Sequence, residues 1–268
     1  MTKVETKIVD SHILIIRLNR PDVRNAIDGE TAAALDEAWT TFRDTHDLRV
    51  AIVTGTGEHA FCAGADLGAV HTLGPGPDAS PGERRRFALH GRGYIGYSRQ
   101  VDIDKPILAA INGDALAGGL ELACMADMRI VERHARFGVT CRKRGVPLVD
   151  GGTQRLPRLI GLSRAMDLIL TGRFVDADEA LQIGLANRVV ETGQSLDAAL
   201  DIARELCEVP QTAMRTDKTA AILGFGMSLE EGLRLEALLG QYALADPDLF
   251  EGALAFKQKR PPKFQHLD

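Results

Sequence analysis

The stretch INGDALAGGLELACMAD, Ile111 to Asp127, joins the end of a β-strand to the start of a helix. Its first apolar run ends at the turn residues Asn112 and Gly113, and a second apolar run follows Gly118 and Gly119. Glycine lowers helix stability by up to about 1 kcal/mol, so a pair at a helix start indicates close backbone contact or a special turn. We expect the free amide of Gly118 to lie at the positive end of the helix dipole.

Runs rich in β-branched residues alternate with helical runs over most of the chain. Strands are predicted at His12 to Asn19, Arg49 to Gly57, Ile107 to Gly113 and Asp127 to Glu132. Asp28 is predicted to be the N-cap of a helix with one apolar face. This alternation predicts an α/β architecture built mainly from parallel strands.

Towards the C-terminus the pattern changes to helices alone, separated at Pro210, at Gly224 to Gly226 and at Pro247. We therefore predict a core over residues 1–200 and a helical region over residues 201–268. The helical region is too thin to fold alone, so it would pack on the core or on a neighbouring subunit.

The charge of the chain and the spacing of its cysteines and histidines exclude several functional classes. A net charge of -5 over 268 residues gives no general attraction to nucleic acid or to an anionic membrane. Four widely spaced cysteines without a CxxC pair favour a reducing, cytoplasmic compartment. Charges interrupt every apolar run near the N-terminus, so we expect neither a signal peptide nor a membrane span. The seven histidines lack ligand spacing, so no metal site is predicted.

Two glycine-rich segments favour a less specific interpretation. GRGYIG, Gly91 to Gly96, has the spacing of a nucleotide fingerprint, but it follows a helical run instead of a strand, and we reject that function. The segment His71 to Arg86 is predicted to be a surface loop. It is either a lid over a site or an insertion without a role.

FCAGADL, Phe61 to Leu67, places small residues after a strand and before an apolar helix. Small side chains let a ligand approach the backbone, and free amides at a helix start donate to an oxygen. An ordinary strand-to-helix turn explains the same residues. Glu121 lies about one turn after Gly118 in apolar company, where a carboxylate pairs with a cation or has a raised pKa. Two such amides and a carboxylate suit a carbonyl that becomes an oxyanion.

These motifs together resemble the crotonase superfamily, also called the enoyl-CoA hydratase/isomerase family. The resemblance runs in order through RPDVRNAID, FCAGADL, GDALAGGLELACMADMRI, GGTQRLPRLIG, TGRFVDADEALQIGLANRVV and EGALAFKQKR. It implies an α/β fold, a crotonase-type spiral of ββα units with a C-terminal helical trimerisation region. It also implies a homotrimer or a hexamer made of two trimers.

The resemblance implies that a coenzyme A thioester binds as the substrate and that no other cofactor is needed. Its carbonyl would be held by the backbone amides of Ala65 and Gly118. The remainder of coenzyme A would lie near Arg24, Ala26, Ala63, Asp66 and Leu67, with Phe256 and Lys259 contributed by the same or a neighbouring subunit.

Hydratases of this family place two glutamates around one water, the first at the position of Glu121. The second falls here on Cys141, within FGVTCRKRG, Phe137 to Gly145. The adjacent basic residues Arg142 to Arg144 could lower the pKa of this thiol and make it a nucleophile. The alternative is a buried small residue beside a solvated basic turn.

Asp150 offers a substitute for the missing glutamate. It could equally be the N-cap of a helix that begins at Gly151. Our hypothesis is that Glu121 and Asp150 form an acid/base pair and hydrate a 2-enoyl-CoA. The alternatives are an isomerase that uses Glu121 alone, a non-catalytic acyl-CoA-binding protein, and a thioesterase with Cys141 as nucleophile but without a nearby histidine.

Overall fold

Strands and helices alternate through the computed structural model, which describes residues 2–76 and 78–264. In this part of the chain the strands are β1 (Val4–Val9), β2 (Ile13–Leu18), β3 (Val50–Gly55), β4 (Ala60–Cys62), β5 (Ile107–Ile111), β6 (Asp114–Leu116), β7 (Met128–Glu132), β8 (Arg136–Gly138), β9 (Phe174–Asp176) and β10 (Arg188–Val190). The α-helices are α1 (Gly29–Asp44), α2 (Pro81–His90), α3 (Gly118–Met125), α4 (Gly152–Ile160), α5 (Leu162–Thr171), α6 (Ala177–Gln182), α7 (Ser195–Cys207), α8 (Gln211–Gly224), α9 (Leu229–Leu244) and α10 (Pro247–Gln258). Short 3-10 helices lie at Pro21–Val23, Leu67–Thr72 and Thr140–Arg144.

The strands form two sheets. The larger has the order β1-β2-β3-β5-β7-β10, in which β1 is antiparallel to β2 and the other neighbours are parallel. The smaller has the order β4-β6-β8-β9, with β9 antiparallel to β8. The predicted α/β class with mainly parallel pairing is confirmed, and the antiparallel strands at two sheet edges are an addition to it.

Both faces of the larger sheet are covered, which explains its continuous apolar strands. On one face, α1 buries Leu35, Trp39 and Phe42 in the main core, and its N-cap Asp28 accepts a hydrogen bond from the amide of Thr31 at 2.9 Å. On the other face, α7 packs against β3, β5 and β7. The division predicted after residue 200 falls inside α7 and stays a prediction.

The C-terminal helices leave much apolar surface uncovered in the single chain. Helices α8 and α9 pack against each other, and α9 buries none of its described residues fully. The exposed large apolar side chains on α8, α9 and α10 are Ile222, Leu223, Leu229, Leu233, Leu238, Tyr242, Leu244, Leu249, Phe250, Leu254 and Phe256. No helix of the described residues is long and apolar enough to span a membrane.

The loop predicted from His71 to Arg86 is wrong over its last six residues, because α2 begins at Pro81. Ser80 is its N-cap, and the Ser80 hydroxyl and the Glu83 carboxylate form a reciprocal capping box. Proline in the first turn suits a helix start, because its missing N–H is one that no helical partner would bind. The glycines and prolines before Ser80 hid this signal.

Candidate active site

A cavity of about 340 Å³ opens beside the N-terminus of α3, a size typical of small-molecule sites. Its wall contains Ala65, Gly118, Glu121, Cys141 and Asp150, which the sequence singled out from separate segments. Most of the remaining wall is apolar. Within residues 2–76 and 78–264, no three histidine, cysteine, aspartate or glutamate side chains cluster as metal ligands would.

The backbone amides of Ala65 and Gly118 lie close together, and the absence of a side chain on Gly64 and on Gly118 allows this approach. A Cβ on Gly64 would stand 2.6 Å from the amide nitrogen of Gly118, and a Cβ on Gly118 would stand 3.7 Å from the amide nitrogen of Ala65. Neither amide donates a hydrogen bond to any atom of the described residues. Two unpaired donors on residues that line one cavity could hold a single oxygen atom.

Strand-like pairing, and not a helix N-terminus, positions the Ala65 amide. The amide of Ile27 donates to the carbonyl of Gly64 at 2.8 Å, and the amide of Asp66 donates back to the carbonyl of Ile27 at 2.8 Å. The 3-10 helix that follows begins at Leu67, with Asp66 as its N-cap. The helix start expected within FCAGADL therefore lies two residues after Ala65.

The turn before α3 is strained at Ala117, which has φ 52° and ψ −120°. This region usually requires glycine, and a residue with a side chain costs on the order of 1–3 kcal/mol there. The amide of Ala117 donates to the carbonyl of Gly138 at 2.8 Å, and the Tyr97 hydroxyl donates to the carbonyl of Gly118 at 2.6 Å. These two hydrogen bonds hold the strained turn in place at the start of α3.

Glu121 is 3% exposed, and two backbone amides orient its carboxylate. Its Oε1 accepts from the amide of Asp150 at 3.0 Å and from the amide of Gly152 at 2.7 Å. Its Oε2 has no donor among the described residues. Burial raises the pKa of this carboxyl to about 7, in spite of the two amides. A group half ionised near neutral pH can both take and give a proton.

The raised pKa of Glu121 makes stability depend on pH. The unfolded chain loses this proton near pH 4.5 and the folded chain near pH 7, so the contribution of Glu121 is full below pH 4.5 and lost as pH rises to 7. We expect the difference in unfolding free energy between Glu121→Gln and the unsubstituted protein to shift by about 3 kcal/mol in favour of the variant between pH 4 and pH 8. Urea unfolding at one protein concentration measures it. A constant difference would contradict the raised pKa.

Asp150 is 2% exposed, and its side chain does not cap the helix that follows it. Its Oδ1 accepts from the amides of Tyr94 at 3.0 Å and Ile95 at 3.4 Å. The N-cap of α4 is Gly151, without a side-chain cap, so the N-cap interpretation of Asp150 is wrong. Burial raises the pKa of the Asp150 carboxyl.

The segment that holds Asp150 belongs to GRGYIG, the motif rejected as a nucleotide fingerprint. Tyr94 and Ile95 line the cavity. Tyr97, the residue after the motif, donates a hydrogen bond from its hydroxyl to the carbonyl of Gly118 in α3. None of these three residues is predicted from the sequence as a site residue. No local signal marks them, since their role depends on contacts with residues far away in the chain.

Cys141 lines the cavity but is not an activated thiol. It is 7% exposed, and burial together with the Glu121 charge raises its pKa, which outweighs the opposing effect of Arg142. A thiol with a raised pKa holds little thiolate at neutral pH. The nucleophile interpretation of FGVTCRKRG is therefore wrong, because burial of the thiol has a larger effect on its pKa than the charge of the adjacent Arg142.

The residues predicted to contact coenzyme A differ in their position relative to the cavity. Ala63 and Leu67 line the cavity, and the nearby Arg24 is exposed while Ala26 is buried. Asp66 is already engaged, since its carboxylate accepts from Arg20 at 3.0 Å and from the amide of Gly68 at 3.1 Å. Phe256, which is 87% exposed, and Lys259 lie at the end of α10 and do not line the cavity of this chain.

Comparison with known proteins gives consistent matches over nearly the whole length. Residues 9–266 match the family model described as Enoyl-CoA hydratase/isomerase. A carnitinyl-CoA dehydratase of Salmonella arizonae is 40% identical over 257 residues, 94% of this chain and 95% of the relative. An (E)-benzylidenesuccinyl-CoA hydratase of Thauera aromatica is 37% identical over 257 residues, 96% and 97% of the two chains. The solved structure of an enoyl-CoA hydratase from Bacillus anthracis has a TM-score of 0.88 and 34% identity, and covers 99% of this chain and 100% of that one.

Proposed function

Because the chain belongs to the enoyl-CoA hydratase/isomerase family, we propose that it adds water reversibly across the C2=C3 bond of a 2-enoyl-CoA. One observation carries this proposal. Two buried carboxylates, Glu121 and Asp150, line the same cavity as the unpaired amides of Ala65 and Gly118. The relatives named as a hydratase and a dehydratase support a hydro-lyase reaction.

The two amides provide the electrostatic part of the mechanism. In the proposed complex the thioester carbonyl oxygen accepts hydrogen bonds from Ala65 and Gly118. When a water oxygen bonds to C3, the electron pair of the C2=C3 bond moves towards the carbonyl, and negative charge develops on its oxygen. Fixed donors in a cavity with mostly apolar walls stabilise this charge without reorganising.

The two carboxyl groups move the protons. The Glu121 carboxylate, free at Oε2, takes one proton from water while the oxygen bonds to C3. The Asp150 carboxyl, whose pKa is raised by burial, delivers a proton to C2 from its protonated form. The sum is the addition of one water, after which Glu121 returns its proton to solvent and Asp150 regains one. The coenzyme A thioester is the substrate, and the proposed steps use no further cofactor.

The remaining sequence predictions form part of the same proposal. Coenzyme A lies along Arg24, Ala26, Ala63, Asp66 and Leu67. The chain assembles as a homotrimer or a hexamer, which would cover the exposed apolar faces of α8 to α10 and bring Phe256 and Lys259 to a bound coenzyme A. A region with this much uncovered apolar surface is typical of an assembly interface.

Asp150→Asn distinguishes hydration from isomerisation. Asparagine keeps an acceptor for the amides of Tyr94 and Ile95 but cannot supply a proton as a carboxyl does. We expect hydration of crotonyl-CoA, followed by the loss of enoyl thioester absorbance, to fall about 10²-fold. Conversion of a 3-enoyl-CoA to the conjugated isomer, which needs Glu121 alone, would change little. The exposed Asp197→Asn is the control.

The outcomes separate the alternatives. Unchanged hydration in Asp150→Asn would remove Asp150 from the mechanism. Turnover of the 3-enoyl-CoA without hydration of crotonyl-CoA would establish an isomerase. Acyl-CoA binding without turnover of either thioester would establish the non-catalytic alternative.

A further inference from the structure

Arg144 brings a positive charge to the cavity wall. It is the last residue of the 3-10 helix Thr140–Arg144, in which residues three apart lie above one another on the same side. Arg144 therefore shares a side with Cys141, and both residues line the cavity. Three residues of such a helix span about 6 Å, so the backbone positions of Cys141 and Arg144 lie about 6 Å apart along the helix axis.

The two neighbouring basic residues are engaged elsewhere. Arg142 donates through Nε to the carbonyl of Ile169 at 3.2 Å, and the Nζ of Lys143 lies 5.8 Å from the centre of the Phe174 ring. Arg144 makes no hydrogen bond or ion pair with any of residues 2–76 and 78–264. Its donors are therefore available to a ligand, whereas those of its neighbours serve the fold.

The chemistry of Arg144 specifies the kind of ligand. A guanidinium presents a planar fork of donors that matches a carboxylate or a phosphate, and it retains its charge at any physiological pH. The cavity-lining residues that follow it in the chain, Val146, Pro147 and Val149, are apolar and offer no charge partner. The carboxyl groups of Glu121 and Asp150 would repel an anionic acyl group unless a cation compensated for them, and Arg144 lies on the same cavity wall to do so.

We propose that the acyl group of the substrate carries a carboxylate a few atoms beyond the reacting carbons, and that Arg144 binds it. This inference rests on the proposed function, because it places the reacting carbons beside Glu121 and Asp150. The phosphates of coenzyme A are the other possible source of an anion. The acyl group is favoured because Arg144 shares a side of its short helix with Cys141 and lines the cavity together with Glu121 and Asp150, while the predicted coenzyme A residues Arg24 to Leu67 belong to other segments.

Binding of saturated acyl-CoAs tests the proposal without turnover. Isothermal titration with glutaryl-CoA and with pentanoyl-CoA compares an acyl chain that ends in a carboxylate with a neutral chain of equal carbon number. We expect the unsubstituted protein to bind glutaryl-CoA more tightly, Arg144→Gln to lose about tenfold in affinity for glutaryl-CoA, and its affinity for pentanoyl-CoA to stay within about twofold. Arg144→Lys should fall between them, because lysine keeps the charge without the planar fork.

Lys143→Gln is the matched control, since it removes an adjacent positive charge that faces Phe174, and it should leave both affinities unchanged. Retained binding of pentanoyl-CoA shows that a variant is folded. An equal loss for both ligands in Arg144→Gln would assign Arg144 to a coenzyme A phosphate and overturn the proposal. Equal affinities of the unsubstituted protein for the two ligands would also overturn the proposal. Tighter binding of 4-(trimethylammonio)butanoyl-CoA than of glutaryl-CoA would do the same.

Turnover then tests the two proposals separately. If hydration is correct, the ratio of kcat/KM for 4-carboxybut-2-enoyl-CoA to that for pent-2-enoyl-CoA should fall about tenfold in Arg144→Gln. Hydration of both substrates at an unchanged ratio would overturn the role of Arg144 and leave the hydratase proposal standing. If neither substrate is hydrated but glutaryl-CoA is still bound selectively, the hydratase proposal is overturned and the role of Arg144 stands.

Discussion

Glu121→Gln should lower kcat for hydration of crotonyl-CoA by about 10³-fold, within the usual range for loss of a general acid or base. The side-chain oxygen of glutamine can still accept from the amides of Asp150 and Gly152, so the packing around α3 and α4 should persist. What disappears is the group with a pKa of about 7 that exchanges a proton with water. The loss of enoyl thioester absorbance under saturating substrate measures this effect.

Glu37→Gln, an exposed substitution on α1, is the control for this experiment and should keep full activity. Binding of butyryl-CoA to Glu121→Gln should remain within about threefold of the unsubstituted protein, because the amides of Ala65 and Gly118 are untouched. A variant that keeps more than a tenth of the activity would show that Glu121 does not carry the proton transfer.

Gly64→Ala should lower kcat by about 10²- to 10³-fold, the cost of losing one oxyanion donor. The new Cβ would stand 2.6 Å from the amide nitrogen of Gly118, where no carbon fits without a shift of the backbone. The carbonyl oxygen would then be held by Ala65 alone. The absorbance assay with crotonyl-CoA measures the loss, and the melting temperature reports any loss of stability.

Gly193→Ala separates backbone strain from blockage. Gly193 has φ +82°, close to the +87° of Gly64, but a Cβ there would meet nothing within 4 Å. Both variants should therefore lose about 1 kcal/mol of stability through the left-handed conformation, while the activity of Gly193→Ala is unchanged. Full activity in folded Gly64→Ala would contradict the assignment of Gly118 to the oxyanion.

Much of the larger sheet could be predicted from the sequence, because its strands β2, β3, β5 and β7 are apolar runs bounded by turn residues. The smaller sheet could not. Its strands β4, β6, β8 and β9 have three residues each, too few for any periodicity to appear. They exist because neighbouring strands pair with them, and such pairing is decided over long distances in the chain.

The sequence alone determined the local patterns that carry the candidate site residues. Glu121 in an apolar helix, Gly118 at its start and the small residues of FCAGADL are local patterns, and each follows from helix or turn geometry. The tertiary structure decided how these patterns meet. Burial raises the pKa of the Cys141 thiol, and amides more than 50 residues away hold the carboxylate of Asp150, which lines the cavity. The physical reason is that propensity acts between neighbours in sequence, whereas desolvation and hydrogen-bond partners depend on what packs there in space.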